Sequence, residues 1–394
     1  MSGQPQTDQP QTDQAQGKAA VQSGLDALRR GDGVGARRGF ERSIALGLQP
    51  PPWFLLAQAC RMTGDIAAER DALDRLLALD PRHVGALILR GDVSVRQQDA
   101  RGATAFYQQA LRIAAAGIAL PDSIRGELGR VQAWVEAQST DYRAHLEESL
   151  ARAGFSALPP RMREAIDILT GDAEVYLQQP TSFFYPGLPH IQFYDARDFG
   201  WAAAIEDATA AICGELEAFL AARDAEAAFR PYVEAVPGRP NKPHSLLDDP
   251  KWSALYLWKD GQPTGHAAHF PAAMRALEAA PMPGIDGRSP TALFSMLRPD
   301  THILPHNGMI NTRLICHLPL IVPPGCGFRV GNQTRPWVPG SLTIFDDSIE
   351  HEAWNRGDAN RIVLLFEIWR PELSREECAA LTAMYNSVGL YSAE

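Results

Sequence analysis

RLICHLPLIVPPGCGFRVGNQTRPWVPGSLTIF, residues 313–345, decides the fold. It consists of short runs rich in Ile, Leu, Val and Phe, broken at Pro323-Pro324-Gly325 and at Pro339-Gly340. Branched and aromatic residues suit a pleated, buried surface, and Pro-Gly clusters end strands. The same texture continues on both sides. ALFSMLRP (292–299) precedes it and HEAWN (351–355) and RIVLLFEIW (361–369) follow, with turns expected at Asp300-Thr301 and Gly357-Asp358. Short strands at regular intervals argue for an antiparallel sandwich or jelly roll, a double-sheet barrel whose mouth can hold a metal.

Working outward, KWSALYLWKDG (251–261) reads as one more strand with its turn, and MRALEAAP (274–281) as a short helix. Residues 201–223 put Ala, Ile and Leu on one helical face, as expected for a helix packed outside a sheet. FFYPGLPHIQFYD (183–195) and FRPYVEAVPGRPNKPH (229–244) are Pro-broken and read as irregular.

Further back the texture becomes helical and repeats with a period near 34 residues. Aligning Gly31-Asp32, Gly64-Asp65 and Gln98-Asp99 places Ala36, Glu69 and Ala103 in register, and likewise Phe40, Leu73 and Tyr107. Each unit is a helical hairpin with one buried face, a pattern that resembles tetratricopeptide repeats. Such a groove receives a peptide or a partner protein, or the array simply caps the next domain. The expected architecture is α+β and multidomain. Residues 1–18, polar and Gln-rich, form a disordered tail, 19–117 the repeats, 118–155 a capping or linker helix, and 156–394 the jelly roll.

Composition narrows the class. A formal net charge of −10 argues against a nucleic-acid binder that works by neutralising phosphates. The five cysteines are scattered, with no CxxC pair, which suits a reducing, cytoplasmic compartment. The N-terminus lacks the charged start and apolar run of a secretory signal, and no stretch offers the ~18 apolar residues of a transmembrane segment.

The barrel stretch also carries the candidate chemistry. His306 lies in LPHNG, His351 in IFDDSIEHEAW, and Arg361 opens the last strand. Imidazoles suit Fe(II), and the usual facial set adds a carboxylate two residues after the first His. Here that residue is Gly308, so the third protein ligand is missing. An inward guanidinium is costly to bury unpaired and its fork matches a carboxylate. A dicarboxylate such as 2-oxoglutarate satisfies Arg361 at one end and chelates iron at the other. The bland alternatives are an ion pair of Arg361 with Asp346 or Asp347, a barrel serine at Ser295 and a core histidine at His317. Asp346 and Asp347 are expected to fix the turn before His351 or to orient a ligand imidazole.

FSMLRPDTHILPHNG, NTRLICHL, FRVGNQTRPWVPGSLTIFDDSIEHEAWN and RIVLLFEIWRPEL together resemble the aspartyl/asparaginyl β-hydroxylase family, over roughly residues 180–375. The resemblance implies a double-stranded β-helix oxygenase using Fe(II), 2-oxoglutarate and O₂. It implies iron ligands at His306 and His351, with the carboxylate ligand absent at Gly308. Arg361, Ser295 and His317 become the cosubstrate contacts. Leu293 and Ile315 stand where animal members place further basic residues, while Arg313 is retained. Arg313 and Arg335 are the candidate substrate contacts. The implied reaction is hydroxylation of an Asp or Asn β-carbon in a peptide or protein, possible to present through the repeats. The rivals are an enzyme like bacterial lipid A acyl-chain hydroxylases, a non-catalytic repeat scaffold with a degenerate metal-binding barrel, and a cupin-like isomerase.

Overall fold

The computed structural model describes residues 9–117, 119–222, 225–235 and 245–391. It divides into two compact units, Met1–Asp172 and Ala173–Glu394.

The first unit is a stack of helical hairpins. Helix α1 (Gln9–Arg29) pairs with α2 (Gly33–Ala45), α3 (Trp53–Met62) with α4 (Ile66–Leu79), and α5 (Val84–Arg96) with α6 (Ala100–Ala115). The repeating Gly/Gln-Asp pair explains each hairpin turn. Gly31, Gly64 and Gln98 take positive φ values of 77°, 72° and 59°. The following Asp32, Asp65 and Asp99 then accept the backbone N–H of Gly35, Ala68 and Gly102, capping the second helix of each pair. Phe40, Leu73 and Tyr107 fill equivalent buried positions. A Cβ at Gly91 would lie 2.3 Å from the Tyr107 ring, so this crossing needs glycine. The array is tetratricopeptide-like, closed by α7 (Asp122–Arg152) and α8 (Pro160–Thr170).

Two expectations shift here. Residues 1–8 lie outside the described residues, but 9–18 belong to α1 instead of a disordered tail. Gly17 packs against Leu48, and the Gln14 amide donates to the Gly47 carbonyl at 2.9 Å, so part of the polar tract gains tertiary anchors. The unit boundary falls at 172 rather than 155 because Arg143 of α7 holds Asp167 and Asp172 at 2.6 and 2.7 Å, tying α8 to the helical unit.

The second unit contains β1 (Phe193–Tyr194), β2 (Arg230–Pro231), β3 (Trp252–Lys259), β4 (Gln262–Pro263), β5 (Ala292–Leu297) and β6 (Thr301–His306). These are followed by β7 (Arg313–Ile321), β8 (Cys326–Val330), β9 (Gln333–Arg335), β10 (Thr343–Phe345), β11 (His351–Asn355) and β12 (Arg361–Trp369). One sheet runs β1-β10-β7-β12-β5-β3-β2 with β4 attached to β3, and the other runs β6-β11-β8-β9. The strand pairings are antiparallel, giving the expected jelly roll. Helices α9 (Ala202–Asp207), α10 (Thr209–Leu220) and α11 (Pro271–Leu277) share a core with the larger sheet, and α12 (Arg375–Tyr391) ends the chain's described part.

Period two explains the near-continuous hydrophobicity of the central strands. Leu314, Cys316 and Leu318 of β7 pack with Leu364 and Phe366 of β12 and Phe294 of β5 in the core that includes α9 to α11. The alternate residues Ile315, Val363, Leu365, Leu293 and Leu297 form a second core with Ile303, Phe328 and Ala353 of the smaller sheet. Both faces are covered, so no polar alternation survives in sequence. Strand β6 begins at Thr301, where a turn was expected, because Asp300 alone takes the left-handed φ of 49°. Among the described residues no helix is long and apolar enough to cross a membrane.

Candidate active site

Between the sheets lies a cavity of about 260 Å³. It is lined by Ser295, His306, Arg313, His317, His351 and Arg361, together with Trp252, Phe328, Phe345, Asp347 and Met309. Six of the seven candidate site residues are thus brought together. Arg335 is placed elsewhere, on β9, with its guanidinium 4.1 Å from the Phe193 ring centre.

His306 ends β6 and His351 opens β11, and the two are direct cross-strand partners with ring centres 4.2 Å apart. Each places Nδ1 beside the carbonyl two residues before it, Leu304 O at 2.8 Å and Ile349 O at 3.0 Å. A carbonyl only accepts, so this geometry selects the Nδ1–H tautomer and leaves Nε2 with a lone pair. Burial, then the neighbouring His306, pushes His351 down to about 3, which keeps it neutral through ordinary pH. Two imidazoles held by backbone carbonyls at Nδ1 suit a divalent metal.

The turn before His351 is held by Asp346. Its carboxylate accepts from the Ser348 hydroxyl at 2.6 Å, from Gln178 at 2.7 Å and from Arg370 at 2.7 Å. Asp347 instead enters the cavity wall. A Cβ on Gly308 would lie 2.2 Å from Asp347 Oδ2, so the Asp347 carboxylate occupies the room that a side chain at 308 would need. Asp347 is not grouped with the two histidines as a third ligand: among the described residues no three His, Cys, Asp or Glu side chains are placed to hold one metal ion. Burial raises the Asp347 pKa to about 6, against the opposing pull of Arg313.

At the closed end Arg361 is 2% exposed, and its Nε and Nη2 have no hydrogen-bond partner. Among the described residues no carboxylate pairs with it: Asp346 is engaged by Arg370, and Asp347 lies 3.5 Å from Arg313. Burial lowers its pKa to about 10. The guanidinium carbon sits 5.3 Å from the Trp337 ring centre, an apolar support that leaves hydrogen-bonding capacity unused. Both His317 ring nitrogens are buried without partners, and burial followed by Arg361 drives its pKa well below the usual value. Ser295 Oγ accepts from Trp252 Nε1 at 3.2 Å, so its own hydrogen is free to donate. A buried cation, a neutral histidine and a hydroxyl able to donate offer together the groups that a carboxylate pairs with. Residues 206–371 match the family described as aspartyl/asparaginyl beta-hydroxylase.

The barrel unit is similar to this family over those residues. The human aspartyl/asparaginyl beta-hydroxylase is 35% identical over 143 residues, 36% of this chain and 19% of that protein. The mouse protein of the same name is 34% identical over 141 residues, again 36% of this chain and 19% of that protein. An ornithine lipid ester-linked acyl 2-hydroxylase from Rhizobium tropici is 33% identical over 191 residues, 48% of this chain and 63% of that protein. The chain thus spans less than two thirds of the length of each of these relatives.

Sequence reading did not single out Trp252, Trp337 or Tyr232 as site residues. Trp337 stands between prolines in RPWVP and Tyr232 in a Pro-broken loop, so neither carries a strand period. Their flanking prolines, marking irregular backbone, are the available signal.

Proposed function

We propose that the protein is an Fe(II)- and 2-oxoglutarate-dependent hydroxylase acting on an Asp or Asn β-carbon in a peptide or protein. The observation that carries this reading is the unpaired, buried Arg361 in the same cavity as two imidazoles of fixed tautomer. His306 and His351 would hold the metal through Nε2. Arg361, the Ser295 hydroxyl and His317 would hold the cosubstrate's far carboxylate. When bound, iron and 2-oxoglutarate supply activation of O₂, with one oxygen atom passing to succinate as CO₂ leaves and the other to the substrate's C–H bond.

The chain's own contribution is positioning and exclusion of water. Phe328, Phe345 and Trp252 wall the cavity, and the cross-strand register fixes both imidazoles. The repeats are read as the part that recruits the polypeptide substrate. The five cysteines, none in a disulfide, support a cytoplasmic setting.

A second reading, hydroxylation of a lipid acyl chain, is supported by the apolar residues Val233, Ile303, Ile315 and Leu365 in the cavity wall and by the likeness to the Rhizobium enzyme. Purified protein with Fe(II), ascorbate and 2-oxoglutarate is expected to form succinate. His351→Ala is expected not to, and equal turnover by that variant would overturn the assignment. Supplying peptide or lipid vesicles in the same assay separates the two substrate classes by which one gains a single oxygen mass.

A further inference from the structure

The loop that follows His306 and the turn that precedes His351 are tied together by a segment outside both. Residues 174–192 precede the matched stretch 206–371 and run along the two as a strap. On the His306 side, the backbone N–H groups of Thr181 and Phe183 donate to the carbonyls of Gly308 and Met309 at 2.9 and 3.0 Å. On the His351 side, the Gln179 N–H donates to the Ser348 carbonyl at 2.8 Å. Loop and turn also meet directly, Gly308 N–H donating to Asp347 O at 2.6 Å and Asn307 Nδ2 to Ser348 O at 3.0 Å.

At the centre of the strap stands Gln178, 5% exposed. Its Nε2 donates to Asp346 Oδ2 at 2.7 Å and to Pro189 O at 3.0 Å, while its Oε1 accepts from Asn311 Nδ2 at 2.9 Å. Asp346 and Asn311 are fully buried, and each lies five residues from a histidine: 351 − 346 = 5 and 311 − 306 = 5. Burying an amide is costly unless its groups are bonded, and here donor and acceptor are spent on opposite sides. From Asp346 the connection reaches the imidazole: Asp346 O accepts from the Ile349 N–H at 3.2 Å, and Ile349 O lies 3.0 Å from His351 Nδ1. Arg370 meets the same two residues, with its Nη1 2.7 Å from Asp346 Oδ2 and 3.4 Å from Asn311 O. Neither residue therefore loses its last partner when Gln178 is removed. Arg370 supplies the charge that balances Asp346, and the neutral Gln178 supplies only geometry.

We infer that Gln178 is a positioning residue, clasping the loop after His306 to the turn before His351 so that both imidazoles stand at the spacing one metal ion needs. This rests on the metal-dependent hydroxylase reading and adds to it a residue outside the matched stretch. Groups one step out from metal ligands fix ligand orientation, and losing one weakens metal binding by about 10- to 100-fold. Arg361 and Ser295 stand on other strands, β12 and β5, so cosubstrate affinity is expected to separate from metal affinity.

The experiment titrates full-length protein with Co(II) in the absence of oxygen, read by visible absorption, and follows amide hydrogen exchange of the metal-free protein by mass spectrometry. Gln178→Met keeps the length of the side chain and removes both clasping bonds. Co(II) binding weaker by about ten-fold or more is expected, together with faster exchange in both 307–311 and 346–351 and an unchanged apparent KM for 2-oxoglutarate at saturating Fe(II). Gln178→Glu, which still accepts from Asn311 but turns a carboxylate toward Asp346, is expected to weaken Co(II) binding too and decides the matter if the Met variant does not fold. Tyr185→Phe removes the strap's 2.9 Å hydroxyl bond to Glu377, leaves the clasp intact, and is expected to bind Co(II) as the unaltered protein does. Unchanged Co(II) affinity in a folded Gln178 variant overturns the inference. An equal loss in Tyr185→Phe overturns it as well, because any loosening of the strap would then suffice. No Co(II) binding by the unaltered protein defeats the metal reading and the inference together. Co(II) binding without succinate formation defeats the hydroxylase reading alone, and the affinity comparison still decides the role of Gln178.

Discussion

Buried charge is treated differently in the two units. In the helical array Glu69, fully buried, meets Arg96 at 2.5 Å, and Asp92 meets Arg61 at 2.8 Å, Arg130 at 3.1 Å and the Tyr107 hydroxyl at 2.5 Å. These groups hold helices to one another. In the barrel, Arg370 follows the same rule, with Asp346 at 2.7 Å. Arg361 breaks it, equally buried but without a carboxylate among the described residues. A charge left unpaired in a core costs several kcal/mol unless a partner arrives. The contrast separates cations paired within the fold from one left without a carboxylate, which on the proposed reading is kept for a ligand.

That contrast can be broken at its functional end first. His351→Ala is expected to abolish succinate formation, a loss on the order of 10³-fold or more if the imidazole holds the metal, while circular dichroism stays that of the folded protein. Next, Arg361→Ala removes the proposed receptor cation. Its expected effect is a rise of about 10²-fold in apparent KM for 2-oxoglutarate, the scale of a lost charge-assisted pair, with thermal stability unchanged or higher. An unchanged KM would remove Arg361 from its role. By contrast, Gly91→Ala in the array forces a contact with the Tyr107 ring and is expected to lower stability of that unit by about 1–3 kcal/mol, read by denaturant unfolding, with basal succinate formation retained. The smallest effect belongs to Asp65→Ala, which removes one helix cap and is expected to cost ~1 kcal/mol without altering turnover.

Much of this was legible because local chemistry and tertiary structure agree. The Gly/Gln-Asp pairs announce a left-handed residue followed by a cap, and the structure uses all three that way. The cavity gathers His306, His351, Arg361, Ser295, His317 and Arg313 because period-two strands bring distant residues to one face. What could not be read is what depends on close approach across the chain. Gly308 signals an absent carboxylate, yet nothing local says that Asp347 fills the same room. Strand β6 was hidden by its exposed His302 and Leu304 and by the turn-like Asp300-Thr301. The unit boundary depended on Arg143 reaching across to Asp167 and Asp172, a contact invisible in composition.

The cross-strand register of His306 and His351 has a mechanical consequence. These partners are 351 − 306 = 45 residues apart in sequence, so a metal ion on both would clip together the ends of a long loop that includes β7, β8, β9 and β10. Closing a loop of that length restricts the unfolded chain as a cross-link does. Metal loading should therefore raise the melting temperature of the barrel unit and leave the helical unit's transition in place, and His351→Ala should erase that shift. On the proposed reading, such an ion would also be a removable stitch between two neighbouring strands.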